Sequence, residues 1–382
     1  MKPTIAIIGV SGYARLVFRS LCQVLENSGA HLAAATVINP RDEAEACERV
    51  TAGGGVLFSD YRQMLEAFAG RLDLCLIPTS IHWHTPMALD ALRAGANLLV
   101  EKPLAGSLAE GQSIVDAAAA AGKFVAVAFQ DMYAPQTWDI KRFLLSGELG
   151  AIQSIQVTAS WPRTDKYYTR NRWAGKTHCD GRPVFDSPLN NAFAHFVNLA
   201  LFFAAPGLEE VAHVARAEGS LLRFFPIETY DTAAVRLTTR EGIPIEHIVT
   251  HVDPVREEPR MTLRMERGTL TWTLDKEAVA VQTDGRQVKR WDLDPSETKR
   301  QAMLRQVVDC IGGQRQPLFP AASALSQIET IGTVNTLPIG GGFEALPPAF
   351  ARGGRSAWDY VEGLQAFLVK ESAALCRASR RC

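Results

Sequence analysis

Apolar and polar positions along the first third of the chain alternate between two textures. "TIAIIGV" is a short apolar run broken by glycine, "HLAAATVIN", "LDLCLIPTS", "ANLLVEKP" and "KFVAVAFQ" repeat that texture, and each reads as a strand. Between them "YARLVFRSLCQVLENSG", "PRDEAEACERV", "YRQMLEAF", "TPMALDALRAG" and "SLAEGQSIVDAAAAAG" read as helices, the second opened by proline and acids that suit a first turn. Strands alternating with helices predict βαβ units, hence a mostly parallel sheet covered on both faces. Near Tyr133 the texture changes. "APQTWDIKRFLLSGELG" reads as a helix, and "AIQSIQVTASW", "DTAAVRLTTREGIPIEHIVTHV", "RMTLRMERGTLTWTL" and "AVAVQTDGRQVKRWDL" as alternating strands with turns at "REG", "ERG" and "TDG". "ETKRQAMLRQVVDCIGG" and "ASALSQIETIGTVNTL" read as helices that return to pack, and residues about 355 to 378 as one more helix. The fold class is therefore α/β: a doubly wound parallel Rossmann sheet over residues 1–130, then an α/β domain with a large open, mostly antiparallel sheet over 131–382.

A chain of 382 residues calls for two cores, in line with that division. With 40 basic and 41 acidic residues it has no global field to attract nucleic acid or a membrane surface, and no apolar run approaches a bilayer span. The opening "MKPTIAIIGVSGYARLVFR" is interrupted by glycines and Arg15, so it reads as first strand and turn, not as a leader. Seven cysteines at 22, 47, 75, 179, 310, 376 and 382 lack the close spacing of a zinc or redox motif; reduced thiols in a cytoplasmic protein, with no metal, are expected.

Candidate chemistry begins at "GVSGYA", residues 9–14, between the first strand and first helix. A dinucleotide fingerprint wants glycine at its first, third and sixth positions, filled here by Gly9, Ser11 and Ala14. Gly9 permits the tight turn, Gly12 keeps backbone close by, Tyr13 follows, and the helix N-terminus offers amides to a pyrophosphate. The second strand ends in "VINPRD", so Asn39 stands where a ribose-binding carboxylate would, with Arg41 behind it. A neutral residue and an arginine favour NADP over NAD. In "LLVEKPLAGS", residues 98–107, an apolar strand delivers Glu101 and Lys102 to the functional edge of the sheet.

With these residues assembled, the chain resembles the glucose-fructose oxidoreductase/inositol dehydrogenase (Gfo/Idh/MocA) family over nearly its whole length. "PTSIHWHTPMALDALRAGANLLVEKPLA" carries the likeness, and "AFQDMYAP" adds to it, with Gln130 where the family commonly has asparagine. The resemblance implies bound NAD or NADP and hydride transfer on sugars or polyols; a homo-oligomer, dimer or tetramer, is also expected. It maps Pro78, Thr79, His82 and His84 to the cofactor-lining stretch, beside Glu101 and Gln130, and makes Lys102 a contact of substrate and nicotinamide ribose.

The family also expects an Asp-x-x-x-His helix facing the nicotinamide. The segment here is "CDGRPVFDSPLNNAFAHFVNLALFF", with Ser187 and Pro188 suited to cap and start a helix. Three registers stay open: Ser187 with Asn191, Asn191 with His195, or Asp186 with Asn190; each lacks one expected acid or histidine. Asn191, His195 and Asn198 share one polar stripe if the helix is continuous. Oxidation of a secondary alcohol needs a base on the hydroxyl: His195 is assigned that role and Lys102 that of polarising donor, the reverse being the alternative. In "SWPRTDKYYTRNRWAGK", Trp161, Tyr167, Tyr168 and Trp173 offer ring faces to a sugar, and Arg163, Arg170, Arg172 and Lys176 offer donors to hydroxyls or an acid group. Two alternatives accompany the dehydrogenase reading: a redox-neutral sugar-modifying enzyme with tightly held NAD, and a cofactor-binding sensor weakened in catalysis.

Overall fold

The first strand, β1 (Thr4–Ile8), is fully apolar beyond its first residue, and the chain then alternates as α1 (Ala14–Leu25), β2 (His31–Thr36), α2 (Ala44–Ala52), β3 (Val56–Phe58), α3 (Tyr61–Ala67), β4 (Leu74–Ile77), α4 (Ile81–Arg93), β5 (Asn97–Val100), α5 (Leu108–Ala121) and β6 (Val125–Val127). The computed structural model describes residues 2–253, 255–313 and 315–341 and the pairs 352–353 and 360–361. The helix anticipated over about 355–378 lies outside the described residues, apart from Tyr360–Val361, which pair as strand with Arg352–Gly353. Among the described residues, no helix is long and apolar enough to cross a membrane.

The six strands form one parallel sheet in the order β3-β2-β1-β4-β5-β6. Ile5, Ala6, Ile7, Cys75, Ile77, Leu98 and Val100 are wholly buried, as strands covered on both faces require. Two helix starts differ from the periodicity. The proline-opened segment is turn over residues 40–43 and becomes helical only at Ala44, while the Glu43 carboxylate accepts Nε and Nη2 of Arg15 at 3.1 and 2.6 Å. Helix α4 begins earlier, at Ile81, so that His82 and His84 lie in its first turn and Pro86 inside it.

The second unit runs through α6 (Pro135–Leu145), β7 (Ile152–Ser160), α7 (Asp165–Thr169), the short pair β8 (His178–Cys179) and β9 (Arg182–Pro183), α8 (Ala194–Ala204), β10 (Val214–Arg223), β11 (Thr232–Thr239), β12 (Pro244–Thr250), β13 (Glu257–Met265), β14 (Gly268–Thr273), β15 (Glu277–Gln282) and β16 (Gln287–Asp292). Then come α9 (Ser296–Asp309), α10 (Ala321–Val334) and β17 (Ile339–Gly341). Nine strands make a mixed sheet, β16-β15-β14-β13-β7-β12-β11-β10-β17, antiparallel except for the pairs β7/β12 and β10/β17. The near-continuously apolar α8 lies against β7 and β13, and its Phe196 meets Trp272 of β14. Lys141 of α6 is fully buried, and its ammonium donates to the carbonyls of Phe202, Phe203 and Ala205 at the end of α8.

The compact units do not coincide with the division at residue 130. The first comprises residues 1–134 together with 295–325, and the second 135–294 with 326–382. Helix α9 belongs to the first unit, where Lys299 and Asp131 form a buried ion pair at 2.7 Å. Nearby, Val127 N–H donates to the Phe319 carbonyl at 3.1 Å.

Candidate functional site

In the first unit, the carboxyl ends of β1, β4, β5 and β6 deliver Gly9, Pro78–Thr79, Glu101–Lys102 and Gln130 to one edge of the sheet. Gly9 and Gly12 both sit at positive φ, +94° and +60°, so Gly12 takes the left-handed place that Ser11 could not fill without strain. A Cβ on Gly9 would touch Thr79 at 3.6 Å, whereas around Gly12 there is open space. Helix α1 has no side-chain cap, and the amides of Ser11, Gly12 and Tyr13 find no acceptor among the described residues. Unclaimed donors at a helix N-terminus, beside open space, fit the pyrophosphate of a dinucleotide. Ala14 is buried as the first helical residue. The Ser11 hydroxyl donates to Asn39 at 2.9 Å, and Asn39 in turn donates to Asp42 at 3.4 Å. A carboxylate thus stands beside Asn39 after all, three residues beyond the expected slot, while Arg41 is exposed.

Glu101 is 7 % exposed, and burial raises its carboxyl to about 7, against the opposing pull of Lys102 and Arg300. It accepts the Lys102 amide at 3.1 Å. His82 is buried. His84 is fully buried, with Nδ1 2.8 Å from the Pro103 carbonyl and Nε2 3.0 Å from that of Thr79. Burial lowers it to about 4, so the neutral ring donates to one of the two carbonyls. With one N–H to give, the ring ties itself to the Thr79 turn or to the Lys102–Pro103 turn, and its other nitrogen lies against the second carbonyl. Sequence reasoning missed Arg300 of α9. Its guanidinium lies 5.8 Å from the Tyr13 ring centroid, and its Nε is buried without a partner. A contact made across nearly the whole chain leaves no local signal.

In the second unit, the helix read as continuous is broken. Pro188–Ala192 form a single π turn, capped by the Ser187 hydroxyl, and α8 starts after Phe193 at φ −105°. Asn191, His195 and Asn198 therefore do not form one helical stripe. Asp186 is buried and accepts the Gly175 amide and the Asn191 Nδ2, each at 2.7 Å. Asn190 is also buried; its Nδ2 donates to the carbonyls of Val184 and Phe185 at 3.1 and 3.2 Å and braces Phe185 at φ +46°. Asp186 and Asn190 thus hold the turn together, while Asn191 and His195 remain half-buried. Asn198 is fully buried, with neither amide atom partnered.

The aromatic wall forms where β7 and β12, a parallel pair, both end. Trp161 N–H donates to the Thr250 carbonyl at 3.1 Å and Arg163 N–H to that of His251 at 2.8 Å, extending the pairing beyond the strands. The Trp161 ring packs 5.0 Å from Phe193 and its Nε1 donates to Glu258 at 2.9 Å. Tyr168 packs 5.0 Å from Phe225. Trp173 lies 5.4 Å from the Arg170 guanidinium, whereas Arg172 is exposed and paired with Asp180 at 2.8 Å. Tyr167 and His251 belong to the same cluster, their rings 6.3 Å apart, and His251 was not singled out in sequence as a site residue.

Residues 4–129 match the model of the oxidoreductase family with an NAD-binding Rossmann fold, and residues 137–271 that of the GFO/IDH/MocA C-terminal domain. Among curated proteins, an inositol 2-dehydrogenase of Paracoccus denitrificans is 31% identical over 169 residues, 44% of this chain and 48% of that protein. One from Rubrobacter xylanophilus is 31% identical over 124 residues, 32% and 34% of the two chains. The chain thus aligns with about half or less of the length of these curated relatives. Among solved structures, the WlbA dehydrogenase of Bordetella pertussis, in complex with NADH and UDP-GlcNAcA, superposes with a TM-score of 0.69 at 23% identity over 88% of this chain and 96% of that one. A levoglucosan dehydrogenase, in complex with NADH and levoglucosan, gives 0.72 at 16% identity over 88% and 98%. At these identities the likeness is one of fold.

Proposed function

We infer the function from one premise: the chain belongs to the GFO/IDH/MocA family of oxidoreductases, matching it in both of its domains. The protein is then an NAD(H)-dependent oxidoreductase acting on a secondary alcohol or ketone of a sugar, sugar derivative or polyol. The observation that carries this reading is the turn after β1, with two glycines at positive φ and three amides awaiting an acceptor. A bound nicotinamide supplies the hydride acceptor or donor. The protein supplies position and the proton path.

In the oxidative direction the carbinol carbon gives up a hydride and its hydroxyl gives up a proton. His195 is the group that receives the proton, and Lys102 the donor that polarises the oxygen. Asp186 acts through Asn191, whose amide it orients. Loss of a general base costs about 10²–10⁴ in rate. His195→Ala and Lys102→Met should each fall in that range in kcat, with cofactor affinity retained for His195→Ala when measured by quenching of tryptophan fluorescence. Near-normal turnover by either variant removes the role assigned to that residue. Asn39 and Arg41 together suit a 2′-phosphate, whereas Asp42 beside Asn39 opposes it. A KM for NADP below that for NAD, rising in Arg41→Ala, is the outcome that favours NADP; equal response of both KM values favours NAD. Inositol and neutral hexoses are the first substrates to try, since the curated relatives are inositol 2-dehydrogenases.

A further inference from the structure

In the second unit, Arg163 is a half-buried arginine without a counter-ion among the described residues. Its backbone is fixed by the 2.8 Å bond from its amide to the His251 carbonyl, so the side chain leaves from an anchored point. The guanidinium stands 4.5 Å from the Tyr167 ring centroid, and its Nε is buried with no acceptor. Among the described residues it forms no ion pair. A second guanidinium, that of Arg170, lies 3.4 Å from the same ring centroid and is held by a 2.7 Å bond to the Tyr167 carbonyl. Two like charges on one phenol repel, and burying an unpaired charge is costly.

The neighbours do not relieve that charge. His251 is buried, with Nδ1 2.8 Å from the Trp161 carbonyl; burial and then the nearby Arg163 and Arg170 lower it to about 3. The Tyr168 hydroxyl is buried without a partner. Two carboxylates lie within electrostatic reach of Tyr168, and each is already engaged. Asp186 accepts from Gly175 and Asn191, and Asp231 accepts the amides of Phe224 and Phe225 at 2.7 and 2.8 Å. Burial moreover raises Asp231 to about 7, which weakens it as a counter-charge. What remains is a pair of guanidiniums, an unpartnered phenol and aromatic faces, a set suited to bidentate capture of a carboxylate or phosphate beside a sugar ring.

We propose that the substrate is an anionic carbohydrate, and that Arg163, assisted by Arg170 and Tyr168, binds its carboxylate or phosphate. This rests on the dehydrogenase reading above. The test is a panel of matched pairs: glucose with glucuronate, galactose with galacturonate, glucose with glucose 6-phosphate, and inositol with an inositol monophosphate. The anionic member of at least one pair should have kcat/KM about 10- to 100-fold above its neutral partner, the range of a charge-assisted hydrogen bond. Whether uronates or phosphates lead identifies the anion. Arg163→Gln should collapse that ratio, Arg163→Lys should restore part of it, and added salt should raise KM for the anionic member alone. Equal kcat/KM within every pair, or an unchanged ratio in Arg163→Gln, overturns the proposal and leaves the dehydrogenase reading intact. If no member turns over although NADH binds, the dehydrogenase reading fails. Calorimetric titration with the same anions then decides: binding that Arg163→Gln abolishes supports the subsite, and no binding overturns it. Should Arg163→Gln not fold, the salt dependence and Arg163→Lys carry the decision.

Discussion

Glu101 shows how a single residue couples position to protonation. It is buried at the end of an apolar strand, so its carboxyl stays protonated to about 7, well above the value near 4.5 that it takes in the unfolded chain. A raised carboxyl pKa means that the native state holds the extra proton between those values. The corresponding stability is fully present below about 4.5 and is lost as pH rises through about 7. The difference is at most about 3 kcal/mol. Glu101→Gln, which keeps the shape and cannot ionise, should therefore be less sensitive than the native protein to a rise from pH 5 to pH 8. Thermal unfolding at the two values measures this, and an unaltered difference in Tm would show that Glu101 does not titrate in that window. The cluster around Arg163 shows the same physics with the opposite sign of charge.

Among the elements, those governed by local pattern were legible. The parallel strands announce themselves as unbroken apolar runs, the strands from Thr232 to Asp292 as alternation with glycine turns, and the phosphate loop as glycines between strand and helix. Strand β10 was not, because "VARAEGSLLR" mixes charges with Gly219. That glycine sits at φ +130°, where a Cβ would run into the Ala234 carbonyl of β11, so packing between strands and not pattern selects it. The break at Phe193 was equally hidden, since a π turn keeps a helical composition. His251 and Arg300 escaped for another reason: their neighbours Trp161 and Tyr13 are remote in sequence. One element depends on a single remote side chain. At the end of α8 the Phe202 carbonyl also accepts the Ala205 amide, whereas among the described residues the carbonyls of Phe203 and Ala205 depend on the ammonium of Lys141. Lys141→Met leaves them buried and unpaired and should cost about 2–3 kcal/mol, read as a lower urea midpoint; a midpoint within error of the native one refutes the capping role.

For the whole molecule, three buried imidazoles set the acid limit. His84, His247 and His251 are held neutral by burial, at about 4, 3 and 3, and both ring nitrogens of His247 lack a partner. Each would take up a proton near 6.5 on unfolding, so the stability they represent is present above that value and lost as pH falls. Glu101 and Asp231 act in the opposite sense between about 4.5 and 7, so the two sets partly offset each other there. Below about 4.5 the histidines act with Glu228, whose carboxyl is held at about 2 by Lys176 and Thr177, and stability should fall steeply as the pH drops. Acid titration followed by tryptophan fluorescence should show a plateau and then a steep loss, with the midpoint moved to lower pH in His247→Leu. A midpoint that does not move would mean that His247 is charged in the native protein.

Asp131 and Lys299 are separated by 168 residues and share one buried ion pair. During synthesis the aspartate leaves the ribosome roughly ten to thirty seconds before its lysine exists. For that interval the nucleotide-binding unit lacks a wall and carries an uncompensated carboxylate, so an amino-terminal fragment ending near residue 134 should be a poor stand-in for it. The order of assembly is thereby inverted: the part of the chain made first is among the last to close.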